Sequence, residues 1–137
     1  MSTENCGIAE IEKLANMKPA DHTVTVLLAE DEPTLRQMLA FVLQAQGYHL
    51  IVAEDGRQAL ELAKSIGRID VLLSDIQMPG LADPDVAQEL LRSRPDLKIV
   101  LMSGCVSSVN VSRREWRFLQ KPFSAHRLLE EVRTALA

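Results

Sequence analysis

Hydrophobic and polar positions change period along this chain in a repeating way. Val24-Thr-Val-Leu-Leu-Ala29 is a continuous apolar, β-branched run, which predicts a strand. It gives way to Leu35, Met38, Leu39, Val42 and Leu43, spaced as one face of a helix, with Pro33 suited to the first turn and Gly47 to the stop. His49 to Ala53 predicts a second strand, and Ala59, Leu62, Ala63 and Ile66 mark the next helix, ended by Gly67. Val71 to Leu73 predicts a third strand. A helix follows over Pro84 to Arg92, with Val86, Leu90 and Leu91 on its inner face. Lys98 to Met102 reads as the fourth strand, and the weakly patterned segment Val106 to Arg114 as a short helix. Trp116 to Leu119 predicts a short fifth strand. Leu128, Leu129, Val132, Ala135 and Leu136 give a closing helix.

Strands that are apolar almost throughout, alternating with amphipathic helices, indicate a parallel sheet covered on both faces. Right-handed crossovers leave few ways to wind such a chain. The expected fold is therefore α/β, a doubly wound five-stranded parallel sheet with helices on both faces. In such sheets the functional crevice lies beyond the carboxyl ends of the strands. The first 22 residues stand apart: Ile8, Ile11, Leu14 and Ala15 line one face of a short helix that Pro19 brings to a stop. The expected organisation is an extension over 1–22 and one domain over 23–137.

Composition narrows the function classes. At 137 residues, 47% hydrophobic and 25% charged, the chain has the make-up of one soluble domain. A net charge of −4 supplies no basic field for direct nucleic-acid or anionic-membrane binding. Met1 to Met17 lacks the basic start and apolar run of a secretory signal, and no stretch approaches the roughly 18 apolar residues of a membrane span. Cys6 and Cys105 form no metal-spacing or disulfide pattern, and His22, His49 and His126 are scattered. A reducing cytoplasmic location is expected.

Chemistry concentrates after the strands. The first is followed by Glu30-Asp31-Glu32, the third ends at Asp75 within Ser-Asp-Ile-Gln-Met-Pro-Gly, the fourth ends in Ser103-Gly104, and the fifth leads to Lys121-Pro122-Phe123. Singly, each has an ordinary explanation: acid pairs are commonly solvated, Asp before Pro-Gly is a turn former, and Lys121 is one more surface cation. Together they place carboxylates, a hydroxyl and an ammonium on four loops of one rim. Carboxylates suit magnesium, which prefers oxygen ligands. A carboxylate is also a nucleophile toward phosphorus, and the transfer needs neutralisation of oxygen charge more than acid–base help. Glu30, Asp31 and Asp75 supply the carboxylates, Lys121 the positive charge and Ser103 a hydrogen-bond donor.

With these motifs in order, Val26 to Leu136 resembles a response-regulator receiver domain of two-component signalling. The residues that carry the likeness are Leu-Leu-Ala-Glu-Asp-Glu-Pro at the first strand exit, Leu-Leu-Ser-Asp-Ile-Gln-Met-Pro-Gly at the third, Val-Leu-Met-Ser-Gly at the fourth, and Phe118-Leu-Gln-Lys-Pro-Phe123. The resemblance implies a flavodoxin-like strand order 2-1-3-4-5 and Asp75 as the phosphorylated residue. Asp31 is implied as direct metal ligand, Glu30 as a ligand through water, and the Gln77 carbonyl as the third protein ligand, for Mg2+ with Mn2+ as a substitute. Ser103 and Lys121 are implied to stabilise the phosphoryl group, Ser103 and Phe118 to form the switch, and the bond before Pro122 to be cis. Gln77 and Cys105 flank the path of an attacking water, so they are implied to tune phosphoryl lifetime. The implied partners are a sensor histidine kinase or phosphotransfer protein as donor and a downstream protein as target. Such a domain catalyses its own phosphorylation and dephosphorylation without being a turnover enzyme.

Two departures from the family pattern stand out. Asp83-Pro84 occupies a loop where many relatives have glycine, and Ser103 and Lys121 are only 18 positions apart, short for a full helix between them. Ser107, Asn110 and Ser112 further dilute the apolar stripe there. In the family, the fourth helix, fifth strand and last helix form the dimer face, so the common dimer mode is not expected. Only 16 residues follow Lys121, enough for one helix, which fits a free-standing receiver or one cut from a hybrid kinase.

Rival readings meet specific obstacles. A haloacid-dehalogenase-type phosphatase wants an acid two residues after its nucleophile, where Gln77 stands. A flavin site would set phosphate against Glu30-Asp31-Glu32. A degenerate receiver that serves only as an interaction module is the remaining alternative, and it leaves five competent chemical positions unused.

Overall fold

A computed structural model describes residues 23–76, 85–104 and 116–137, Asp85 in its backbone only. The elements are β1 (Thr25–Ala29), α1 (Pro33–Ala45), β2 (His49–Ala53), α2 (Gly56–Lys64), β3 (Val71–Asp75), α3 (Asp85–Ser93), β4 (Lys98–Ser103), β5 (Arg117–Gln120) and α4 (Ala125–Leu136). The five strands form one parallel sheet in the order β2-β1-β3-β4-β5. This is the expected fold class and strand order.

The two-residue period of the strands divides the core. Val26, Leu28, Val71, Leu73, Val100, Met102 and Leu119 point to one face, where Leu39 and Leu43 of α1 and Leu128 and Val132 of α4 cover them. Leu27, Ala29, Leu72, Ile99 and Leu101 point to the other, against Ala59 and Ala63 of α2 and Val86, Ala87 and Leu90 of α3. The inner strands are buried along their length, which is why they read as unbroken apolar runs. Truncating one of these buried leucines to alanine costs about 2–5 kcal/mol.

Local chemistry sets the ends of the helices. Glu32 caps α1 with its carboxylate, accepting from Leu35 N at 2.7 Å and Thr34 N at 3.3 Å, while Pro33 occupies the first turn. Gly47, at φ 93°, takes the left-handed conformation that turns the chain into β2. Asp55 caps α2 through Gln58 N, and Ser124 caps α4 through Arg127 N. Arg94, just past α3, donates to the carbonyls of Ala63 and Ile66 at 2.7 Å each and of Gly67 at 3.3 Å, so a guanidinium closes the end of α2. Beneath α4, the buried Glu131 carboxylate accepts from Arg117 of β5 at 2.6 Å and pairs with Arg127 at 2.9 Å.

Several boundaries differ from the sequence reading. β3 extends to Asp75 rather than stopping at Leu73, because Ser74 and Asp75 pair with Leu101 and Met102 of β4 despite their polarity. β4 likewise reaches Ser103, and β5 lies one residue later than Trp116 to Leu119. α2 ends at Lys64, before Ile66, and α3 is described from Asp85 to Ser93. β2 is an edge strand with His49 and Val52 exposed, not a fully covered one. The expected short helices at Ile8–Ala15 and Val106–Arg114, and the Asp83-Pro84 departure, lie outside the described residues. No helix among the described residues is long and apolar enough to cross a membrane.

Candidate functional site

Parallel pairing brings the carboxyl ends of β1, β3, β4 and β5 to one edge. Ala29 pairs with Ser74, Asp75 with Met102, and Ser103 with Gln120, so the residues that follow these strands share a rim. Carboxylate oxygens of Glu30, Asp31 and Asp75 all lie within 4.8 Å of one another. Glu30 is fully buried, Asp75 is buried at 6% exposure, and Asp31 is exposed. Lys121, at the exit of β5, places Nζ 2.6 Å from Asp75 Oδ2 and 3.2 Å from Glu30 Oε1.

The acidic loop is tied down at both ends. Glu30 N donates to Ala53 O of β2 at 3.2 Å, and Glu32 N donates to Glu30 Oε2 at 3.1 Å. Glu32 is the cap of α1, so the helix itself fixes the far end of the loop. On the opposite side, Lys121 N donates to Ser103 O at 2.7 Å, and the Lys121-Pro122 peptide bond is cis, the geometry expected for it. Ser103 is buried at the end of β4. Phe118 is half-buried and packs against the α2–α3 side of the core.

Burial governs the electrostatics. It pushes the Glu30 carboxyl up from 4.5 to about 6; the Glu32 N–H opposes the rise, the Asp75 charge adds to it and Lys121 opposes it. Burial also works against the Lys121 charge, but the hydrogen bond and attraction of Asp75, with Glu30 adding, outweigh it and hold the ammonium above its ordinary range. Among the described residues the cluster thus sets three carboxylates together, two of them paired with the Lys121 ammonium, with hard oxygen donors within 4.8 Å of one another. That donor set fits Mg2+, which takes carboxylate oxygens and keeps part of its water shell.

Of the residues singled out in the sequence, Glu30, Asp31, Asp75 and Lys121 come together, with Ser103 and Phe118 on the adjoining strands. Gln77 and Cys105 lie outside the described residues. Sequence reasoning took Glu32 only as a third acid; its place immediately before Pro33 is the signal for a helix cap. It also missed Arg36, whose Nη1 donates to Glu30 O at 2.9 Å. No spacing rule marks a side chain that reaches back to a carbonyl six residues earlier.

Comparison with known proteins agrees with this geometry. The model of the response regulator receiver domain matches residues 26–133. The sensor kinase CckA of Brucella abortus is 32% identical over 133 residues, covering 93% of this chain and 14% of that protein. The C4-dicarboxylate transport transcriptional regulatory protein DctD of Pseudomonas aeruginosa is 35% identical over 122 residues, 86% of this chain and 26% of its own length. The chain therefore spans a minor part of both relatives. Among solved structures, the receiver domain from the hybrid histidine kinase CckA has a TM-score of 0.72 at 32% identity, covering 82% of this chain and 99% of that one. The response regulator protein TrrA of Thermotoga maritima, in complex with Mg(2+)-BeF, has a TM-score of 0.74 at 32% identity, with 83% and 100% coverage. With a matching fold, family model and convergent acid cluster, this chain belongs to the response regulator receiver domain family of two-component signalling systems.

Proposed function

We propose that Asp75 accepts a phosphoryl group from a sensor histidine kinase or phosphotransfer protein, and that the modified domain then presents an altered surface to a downstream protein. The observation that carries this reading is the convergence of Glu30, Asp31 and Asp75 within 4.8 Å, with Lys121 Nζ 2.6 Å from Asp75. An Asp75 carboxylate oxygen forms the new O–P bond as the P–N bond of a phosphohistidine donor breaks, and the imidazole nitrogen keeps the electron pair. Lys121 stays beside the acceptor and offsets the charge on the phosphoryl oxygens.

Glu30, Asp31 and Asp75, with the Gln77 carbonyl, are the residues we assign to a divalent cation, Mg2+ in the first place and Mn2+ as a substitute. When bound, the cation supplies charge neutralisation at the phosphoryl oxygens. Its relative TrrA, described in complex with Mg(2+)-BeF, supports that choice. Ser103 serves as hydrogen-bond donor to the phosphoryl group and, with Phe118, as the switch. Gln77 and Cys105 set how long the phosphoryl group survives.

The receiver unit runs over 23–137, preceded by an extension over 1–22. It is a cytoplasmic signalling domain rather than a turnover enzyme, without direct contact to nucleic acid or membrane, and it does not use the common receiver dimer. Incubation with Mg2+ and acetyl phosphate, followed by intact mass measurement, tests the central assignment. A gain of one phosphoryl group that Asp75→Asn abolishes supports it; an unmodified chain, or a modified Asp75→Asn, rejects it.

A further inference from the structure

The peptide that joins Glu30 to Asp31 lies just past the last ladder pair of β1, Ala29 with Ser74. Its carbonyl is held by a side chain: Arg36 Nη1 donates to Glu30 O at 2.9 Å. Arg36 is half-buried on the first turns of α1, and its own N–H donates to Glu32 O at 2.9 Å. The loop from Glu30 to Glu32 is therefore closed from the helix side by two bonds of one residue, in addition to the Glu32 cap.

Rotation of a peptide plane is the soft motion left to such a loop, since the bond itself is rigid. Holding the Glu30 carbonyl fixes that plane, and so restrains ψ of Glu30 and φ of Asp31, the torsions that set where the chain delivers Asp31, the exposed member of the acid cluster. A guanidinium is planar and keeps its donors in a fixed fork, so it restrains that plane better than a flexible ammonium does. Groups that orient metal ligands without touching the metal commonly contribute tenfold or more in affinity.

We propose that Arg36 is a positioning residue for the divalent-cation site: by holding the Glu30–Asp31 peptide plane it keeps the Asp31 carboxylate converged with those of Glu30 and Asp75. This rests on the assignment of the acid cluster as a metal site. It also opposes a simpler expectation, because a positive charge near the cluster repels a dication. Orientation and charge thus act with opposite signs, and an affinity measurement separates them.

The test is titration of the full chain with Mn2+ alone, followed by loss of the free-ion EPR signal, for the unaltered protein, Arg36→Met and Arg36→Lys. Each protein is also melted in EDTA, and titrations are run well below its melting temperature. Arg36→Met is expected to bind Mn2+ roughly tenfold more weakly, and Arg36→Lys to recover part of that loss. A purely structural role lowers the EDTA melting temperature and leaves the Mn2+ affinity of the folded protein unchanged, which overturns the inference. So does an Arg36→Met protein that binds more tightly, since charge alone then explains the residue. No Mn2+ binding by the unaltered chain removes the metal assignment itself, an outcome distinct from both.

Discussion

Lys121 Nζ lies 2.6 Å from Asp75 Oδ2, a contact that spans the sheet from the exit of β5 to the end of β3. A divalent cation held at the acid cluster would be a second positive neighbour of the carboxylates that Lys121 pairs with, so each would make the other less welcome. Lys121→Met is expected to tighten Mg2+ binding while slowing phosphorylation by acetyl phosphate. The two effects part company because affinity follows total charge and transfer follows charge placed at the phosphoryl oxygens. In EDTA the variant leaves Glu30 and Asp75 without their shared cation. Lys121 is 25% exposed, so the loss falls below that of a fully buried pair, at about 2 kcal/mol. A Mg2+ titration, an intact-mass time course and urea titration in EDTA check the three parts in turn.

Acidity offers a second handle. The Glu30 carboxyl titrates near 6 in the folded protein against an ordinary 4.5, so the folded state keeps a proton that the unfolded chain has already released. Stability in EDTA is therefore expected to fall as pH rises from about 4.5 to about 6 and to bear a constant cost above that window. Glu30→Gln should flatten this slope, and its persistence in that variant would assign it elsewhere. Since a bound cation competes with the proton, Mg2+ affinity is expected to rise through the same window.

Metal removal gives a third. A ligand that binds only the folded state stabilises it by about 1.4 kcal/mol at ten times its dissociation constant. For a domain of this size that corresponds to a rise of about 5 °C in melting temperature. EDTA should reverse the rise, and Asp31→Asn should remove most of it. A melting curve indifferent to Mg2+ contradicts the metal assignment.

A fourth prediction concerns stability away from the site. Arg94→Ala removes three hydrogen bonds to the carbonyls of Ala63, Ile66 and Gly67 at the end of α2. The expected cost is about 1–3 kcal/mol, read from chemical denaturation, with phosphorylation by acetyl phosphate unchanged at temperatures where the variant is folded.

Most of the fold was legible because its determinants are local or periodic. The apolar runs of β1 and β3 announce strands buried on both faces, and Pro33 and Gly47 bracket α1. The rim residues were legible because parallel topology sends every strand exit to one edge. What the sequence hides is pairing across distance. Ser74 and Asp75 look like a turn until Leu101 and Met102 are seen beside them. Arg36 and Arg94 look like surface cations, and only tertiary placement turns each toward a carbonyl. Arg117 and Glu131 are 14 residues apart on a strand and a helix, with no motif to link them.

The short fifth strand carries one further consequence. β5 has four residues and a single neighbour in the sheet, so it is the most weakly hydrogen-bonded of the strands that frame the site, with the clasp of Arg117 onto Glu131 as reinforcement. Lys121 follows its last residue and is tied to Ser103 by one backbone hydrogen bond, from Lys121 N to Ser103 O. Peeling of this outermost ribbon would carry the ammonium away from Asp75 while the rest of the molecule stays folded. The position of the Lys121 ammonium thus depends on the weakest of the strands that frame the site, and amide exchange along residues 117–121 is expected to report how often it is withdrawn from Asp75.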